Sequence, residues 1–457
     1  MPRRRRRSPS LGSASDCSTG RGKRSNCADS DANARIEEAT RSRANAAPPS
    51  IQTGAITGLG DIAKLQQKIA EERQKAQLFV IKAKQAEEAQ EWEHEYFKGT
   101  PGQHCGPRNQ YVLDGELGRG VFSTVFRCRD PMEQGAEFAI KFIRSNVMVK
   151  KAAEKEIALM RRLGKQTSSD PEGSAHLLGF AGCETFQHKG HLALVFPLMK
   201  CDLRTALAKY GRGRGLPLLP EVRNFGRNLF MALRFLRHNG VIHGDLKPDN
   251  LLMSLDKTSV KLCDFGGAMH LDDRVHTDYL QPRYYRAPEV ILGQAYNTQA
   301  DVWSASTTLF EVATDMILFE KGGSNNEMIH EMLKVCGRFS HHFCTCGGFA
   351  NKHFNSDGNF LKTTINTKSN FSNSSKQTLL PMSSFANPSR PILHLLKEKL
   401  TEPPRGVDTK CFKAVLERFA YLLGRCLTPD PDERYTPEDA LADKFFAPFA
   451  VLVGSSS

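Results

Sequence analysis

His243-Gly-Asp-Leu-Lys-Pro-Asp-Asn250, followed by Asp264-Phe-Gly266, concentrates more chemistry than any other stretch of this 457-residue chain. Asp245 is a carboxylate able to take a proton, and Lys247 places an ammonium beside it. Asn250 and Asp264 add hard oxygen donors of the kind that suit magnesium. A lone Asp-Phe-Gly would carry little weight. The argument lies in ordered company: Leu117-Gly-Arg-Gly120 and Val125 upstream, then Phe138-Ala-Ile-Lys141, then the two acidic loops, then Ala287-Pro-Glu289. Gly118 and Gly120 let a strand-turn-strand backbone approach phosphates with no Cβ in the way.

This ordered set resembles the signature of the protein kinases. The resemblance implies an α+β, two-lobed fold, with a β-rich N-lobe at about 111–196 and an α-helical C-lobe at about 200–449 that carries an insert at about 321–405. It implies ATP and Mg2+ as cofactors. Asp245, Lys247 and Asn250 are then the catalytic residues: Asp245 accepts the substrate hydroxyl proton and Lys247 stabilises the transferring group, while Asn250 and Asp264 hold magnesium. Lys247 also points to serine and threonine rather than tyrosine as acceptors. The turn Leu117, Gly118, Arg119, Gly120, Val121, Phe122, Ser123, Thr124 and Val125 covers the nucleotide, with Ser123 where a third glycine usually stands. Ala139, Lys141, Glu156, Pro197, Met199 and Leu252 complete the nucleotide site.

Lys141 sits among apolar residues and needs a partner. Glu156 shares a helical face with Leu159, Met160 and Leu163, which turns it inward; Glu154 is the competing candidate. Leu192 to Met199 reads as a buried strand entering a hinge, with Phe196 at the back of the adenine pocket. The Pro197 carbonyl and the Met199 amide would meet the adenine edge, and proline is tolerable where only a carbonyl is required. Glu289 and Arg434 are expected to form a buried ion pair, and Asp301 to anchor the catalytic-loop backbone. His341, His342, Cys344 and Cys346 match no common zinc spacing.

Tyr285-Arg286-Ala-Pro-Glu289 and the long insert after Phe319 place the resemblance in the group of cyclin-dependent, mitogen-activated, dual-specificity tyrosine-regulated and Clk kinases. Within it, the chain is most similar to the pre-mRNA-processing (splicing) kinases. Gly118-Arg-Gly-Val-Phe-Ser123, His243-Gly-Asp245, Lys261-Leu-Cys-Asp-Phe-Gly266, Arg283-Tyr-Tyr-Arg286, Asn325-Asn326 and Gly348-Phe-Ala-Asn-Lys-His-Phe354 carry that likeness. It implies a nuclear enzyme acting on spliceosomal proteins, with Tyr279 as activation-loop phosphosite. Gly244 stands where most kinases carry an arginine that pairs with a phosphorylated loop, so phosphorylated Tyr279 is expected to dock on Arg283 and Arg286 instead. Gly267, Pro197 and a short arginine-rich leader depart from the family pattern. Rival readings are a Clk-like or dual-specificity kinase with other nuclear substrates, and a kinase-fold scaffold.

The remaining sequence frames this block. Net charge is +13, and Arg3 to Arg7, Arg21, Lys23, Arg24, Arg41 and Arg43 crowd into the first sixty residues. With almost no large apolar residues, 1–60 is expected to be a disordered basic leader suited to anionic partners or nuclear import, and direct RNA binding by it stays open. Residues 61–110 should hold an amphipathic helix, from Asp61 to about Phe97, and a linker through Pro101 and Pro107. A polar stretch from about Gly347 to Arg390 reads as long loops. No apolar run is long enough for a membrane span, the irregular cysteines read as buried thiols, and the kinase block should be monomeric.

Overall fold

The computed structural model describes residues 92–273, 280–365, 375–403 and 407–447. The basic leader, the expected helix as far as residue 91 and Tyr279 lie outside these residues.

Strands β1 (His104–Cys105), β2 (Tyr111–Arg119), β3 (Ser123–Asp130), β4 (Ala136–Ile143), β5 (Thr185–His188) and β6 (His191–Pro197) make one antiparallel sheet, in the order β1-β2-β3-β4-β6-β5. Strand alternation sorts their side chains. Phe126 and Cys128 on β3, with Phe138, Ile140 and Phe142 on β4, enter an apolar cluster shared with Phe97, Tyr111 and Phe186. Val125, Ala139 and Lys141 take the other face, where Val125 lies opposite Lys141. Helix α1 (Val147–Gly164) follows, its first amides capped by the Asn146 side chain, which accepts from Met148 and Val149. Its buried residues Ala153, Glu156, Ile157, Met160 and Leu163 recur at helical spacing.

The helical lobe is built on α2 (Arg223–His238), α3 (Gln299–Thr314), α4 (Asn325–Cys336) and α5 (Thr409–Cys426). Every residue of α3 is buried, so its polar side chains must find partners inside the protein. They become anchors for the loops above. Short strands position those loops: β7 (Cys201–Asp202) pairs with β9 (Leu251–Met253), β8 (Val241–Ile242) delivers His243, the hairpin of β9 and β10 (Val260–Leu262) links Asn250 to Asp264, and β8 pairs with β11 (Met269–His270). Among the described residues, no helix is long and apolar enough to cross a membrane.

Two expectations fail. The helix predicted to reach Phe97 does not: Glu93–Glu95 forms one 3-10 turn and Tyr96 is extended. Tertiary contacts override the helical periodicity, because Phe97 is 2% exposed and stacks on Phe142 with ring centroids 3.9 Å apart. The polar segment expected as loops instead contains an antiparallel hairpin, β12 (Phe360–Ile365) with β13 (Ser375–Leu380). Phe360 is buried against Phe354 and Phe385, and the Asn326 amide donates to the Leu361 carbonyl at 2.9 Å.

The Glu289 carboxylate and the Arg434 guanidinium meet in two parallel hydrogen bonds of 2.7 and 2.8 Å, with both side chains fully buried. Arg434 also donates to the carbonyls of Gln299, Thr428 and Pro429. Glu289→Gln should therefore destabilise the chain by about 3–5 kcal/mol, since it leaves a buried guanidinium without its counter-charge. Denaturant unfolding would measure this, and a loss below about 1 kcal/mol would contradict it.

Candidate functional site

The loop that carries Asp245 is pinned from beneath. Asp301 on α3 accepts from the backbone amides of His243 at 2.6 Å and Gly244 at 3.0 Å, as the sequence suggested. His243 Nε2 faces the Cys263 carbonyl at 3.0 Å, so this nitrogen carries the proton; Nδ1 accepts from the Asp245 amide at 3.3 Å. The Cys263 amide donates to the Asn250 carbonyl at 3.0 Å. One imidazole and one peptide contact thus fix the two acidic loops against each other.

Above that base, the Asp245 carboxylate accepts from Lys247 Nζ at 3.0 and 2.9 Å and from the Asn250 amide at 2.8 Å. Asn250 also donates to the Asp245 carbonyl at 2.7 Å. Three of the expected catalytic residues therefore share one hydrogen-bonded knot. Asp264 takes a left-handed backbone, φ 63°, and lies 3.5 Å from Lys141 Nζ. Lys141 reaches both Glu156 oxygens at 3.3 Å. Glu156 is buried and Glu154 exposed, which decides between the two candidate partners.

Burial works against the Lys141 charge, but Glu156 and Asp264 outweigh it and hold its pKa above the ordinary lysine value. Burial likewise pushes the Asp264 carboxyl up, and Lys141, together with His243 and the Gly266 amide, more than compensates, leaving it below the ordinary carboxylate range. The two shifts reinforce the same charged state.

The glycine-rich turn presents Leu117, Val121 and Phe122 as exposed apolar side chains, 53%, 57% and 63% accessible. Val125, Ala139, Leu252, Pro197 and Met199 are half-buried, and Arg119 is exposed. Phe196 is buried and stacked on Phe180 at 5.5 Å. Thr124 departs from the expected nucleotide set. Its side chain is 0% exposed and its hydroxyl has no hydrogen-bond partner among the described residues, because strand alternation turns it to the core side with Phe126. Ser123 is likewise buried, at 7%. Thr124 therefore serves the turn through its backbone, while Ser123 shares the face of Val125.

At Gly244, φ is +73°, and a Cβ would lie 3.0 Å from Leu280 Cδ1 and 3.1 Å from the Gly267 carbonyl oxygen. Leu280 closes the space beside the base. Arg286 is buried and donates to the Leu280 and Gln281 carbonyls at 2.9 Å each, while Tyr279, expected to dock on it and on Arg283 when phosphorylated, lies outside the described residues. Arg286 shapes the segment from within, while Arg283 is exposed and donates to the Gly323 carbonyl at 2.6 Å. Sequence reading missed a further cluster: Tyr285 donates to Glu311 at 2.6 Å and accepts from Arg204 at 2.8 Å. Burial first, then Glu311, pushes the Tyr285 hydroxyl pKa up. The available signal was Glu311, a lone acid on the otherwise uncharged later turns of α3.

The pKa shifts set an expected pH response. A raised lysine gives its full contribution below its unfolded value, about 10.4, and loses it only as pH rises through the higher folded value. A lowered aspartate contributes above about 3.9 and loses it only as pH falls through the lower folded value. The stability difference between wild type and Asp264→Asn should stay constant between about pH 5.5 and 9, measured by denaturant unfolding across that range. A titration of this difference near neutrality would contradict the charge assignment.

A protein kinase domain model matches residues 111–446. The chain is 36% identical over 338 residues to serine/threonine-protein kinase prp4 of Schizosaccharomyces pombe, covering 74% of this chain and 67% of that protein. It is 32% identical over 341 residues to serine/threonine-protein kinase prpf4B of Dictyostelium discoideum, covering 75% of this chain but 40% of that protein. A dual specificity protein kinase YAK1 homologue of Arabidopsis thaliana is 34% identical over 233 residues, half of this chain and 23% of that protein. With the two-lobed fold and the Lys141, Asp245 and Asp264 constellation in place, the chain belongs to the protein kinase family, as a serine/threonine kinase of the pre-mRNA-processing type.

Proposed function

We propose that this kinase transfers the γ-phosphoryl group of ATP to serine and threonine hydroxyls of splicing proteins in the nucleus. The observation that carries the chemistry is the knot of Asp245, Lys247 and Asn250, pinned by Asp301 and joined through Cys263 to Asp264. The residues fit magnesium and ATP. Asp264 and Asn250 offer the oxygen donors a hard cation takes, and Lys141 is a largely buried cation, 18% exposed, held for phosphate. The exposed apolar rim of Leu117 and Val121 suits a base that would cover it.

When bound, magnesium neutralises the phosphates and ATP supplies the transferable group. Asp245 orients the acceptor hydroxyl and takes its proton as the hydroxyl oxygen bonds phosphorus and the bond to the ADP oxygen breaks. Lys247 holds that carboxylate in place and would face the developing negative charge. Lys141, fixed by Glu156, orients the phosphates rather than entering the proton transfer.

Splicing proteins as substrates, and the nucleus as the place, rest on the resemblance to the pre-mRNA-processing kinases and on Arg3 to Arg7 with Ser8-Pro9 in the leader. The test is magnesium-dependent transfer of labelled phosphate from ATP to splicing-factor proteins. Asp245→Asn should lower the rate by about 10²- to 10⁴-fold. Equal transfer by wild type and variant would remove Asp245 from the mechanism. Equal labelling of unrelated nuclear proteins would instead favour the Clk-like alternative.

Regulation by Tyr279 belongs to the same proposal. Phosphate there would dock on Arg283 and Arg286 through charge-assisted hydrogen bonds that order the segment. Tyr279→Phe should lower turnover several-fold relative to enzyme phosphorylated at Tyr279. Unchanged turnover would dismiss the tyrosine as a control point.

A further inference from the structure

A glycine-rich turn that aims its amides at phosphates must turn carbonyls the other way, and those carbonyls need partners. Here they are met by Arg144 and by Tyr96, which lies outside the matched kinase domain. The Tyr96 hydroxyl lies 3.0 Å from both the Gly120 and the Val121 carbonyl oxygens, so its one proton serves the pair. Arg144 Nη1 donates to the Val121 carbonyl at 2.9 Å, and the Arg144 amide to that of Phe122 at 3.0 Å. Arg119, within the turn, pairs with Glu93 at 2.9 Å and lies over the Tyr96 ring at 5.0 Å.

Arg144 is 6% exposed and would be a costly buried cation on its own. Glu95 neutralises it at 2.7 Å, and Trp92 covers the guanidinium at 4.6 Å. The second Glu95 oxygen accepts from the Asn146 amide at 3.0 Å. Asn146 is also the cap of α1, accepting from Met148 at 3.0 Å and Val149 at 3.3 Å. One short strap therefore holds the roof of the nucleotide cleft and the start of the helix that carries Glu156. Phe97 fastens its far end in the upper core.

We propose that Trp92–Phe97 is a positioning clamp for the phosphate-covering turn, with Tyr96 and Glu95 as positioning residues that set affinity for ATP. This rests on the nucleotide reading given above. Tyr96→Phe keeps the ring against Arg119 and Arg144 and removes only the hydroxyl, so the fold should survive.

The test uses the full chain, magnesium, ATP and casein as a generic acceptor, with Tyr96→Phe and Glu95→Gln beside wild type. Tyr96→Phe should raise KM for ATP about three- to tenfold, the effect of one hydrogen bond, while kcat and KM for casein stay within about twofold. Glu95→Gln should do the same and also speed hydrogen exchange at the first-turn amides of α1. KM for ATP within twofold of wild type in both variants would overturn the clamp. So would a parallel fall in kcat and rise in both KM values with a lowered melting temperature, since that marks a general structural role. Failure of wild type to bind ATP would sink the nucleotide reading itself, a separate result read from the same titration.

Discussion

Three charges hold the machine in one state. Lys141 comes from the sheet, Glu156 from α1 and Asp264 from the loop that follows β10, and each needs the others to tolerate its surroundings. A cation this far from bulk water is costly alone, so the sheet and helix must stay in register for it to remain charged. The distances of 3.3 and 3.5 Å are longer than a tight ion pair. That spacing leaves the ammonium with hydrogen-bonding capacity for phosphate. The interaction that joins the elements is thus also the one offered to the nucleotide.

The lower half solves a different problem. Helix α3 lies entirely within the protein, yet it carries Asp301, Ser304 and Glu311. Each spends its polarity on a loop: Asp301 on the catalytic backbone, Ser304 on the Tyr285 carbonyl, and Glu311 on Tyr285 and Arg204. Removing water around these bonds makes each one more directional in effect, because the alternative is an unsatisfied buried group. Loops that look irregular from outside are therefore fixed from beneath by one rigid helix.

Where chemistry depends on residue type and order, the sequence was readable. The acidic loops, Lys141 and the Glu289 to Arg434 pairing carry their own physical reason, and the helical face of Glu156 pointed it inward. The readings that failed needed information from elsewhere in the fold. Thr124 looked like part of the turn, although its place between Ser123 and Phe126 in strand alternation already marked it as inward. The hairpin from Phe360 was hidden because its anchor, Asn326, lies on a distant helix. Trp92 to Phe97 continued a helical pattern that only Phe142 and Arg144 could interrupt.

The strap also separates two kinds of boundary. The matched kinase domain begins at residue 111, whereas the physical unit begins at least as early as Trp92. A fragment cut to the matched span would retain every catalytic group and still lose the Phe97 ring from the core, a loss on the order of 3–5 kcal/mol when such a side chain is deleted. It would also release the Gly120 and Val121 carbonyls and leave Arg144 without its carboxylate. A shortened recombinant protein that proves weak or insoluble would therefore speak of a misplaced starting codon, not of a defective enzyme.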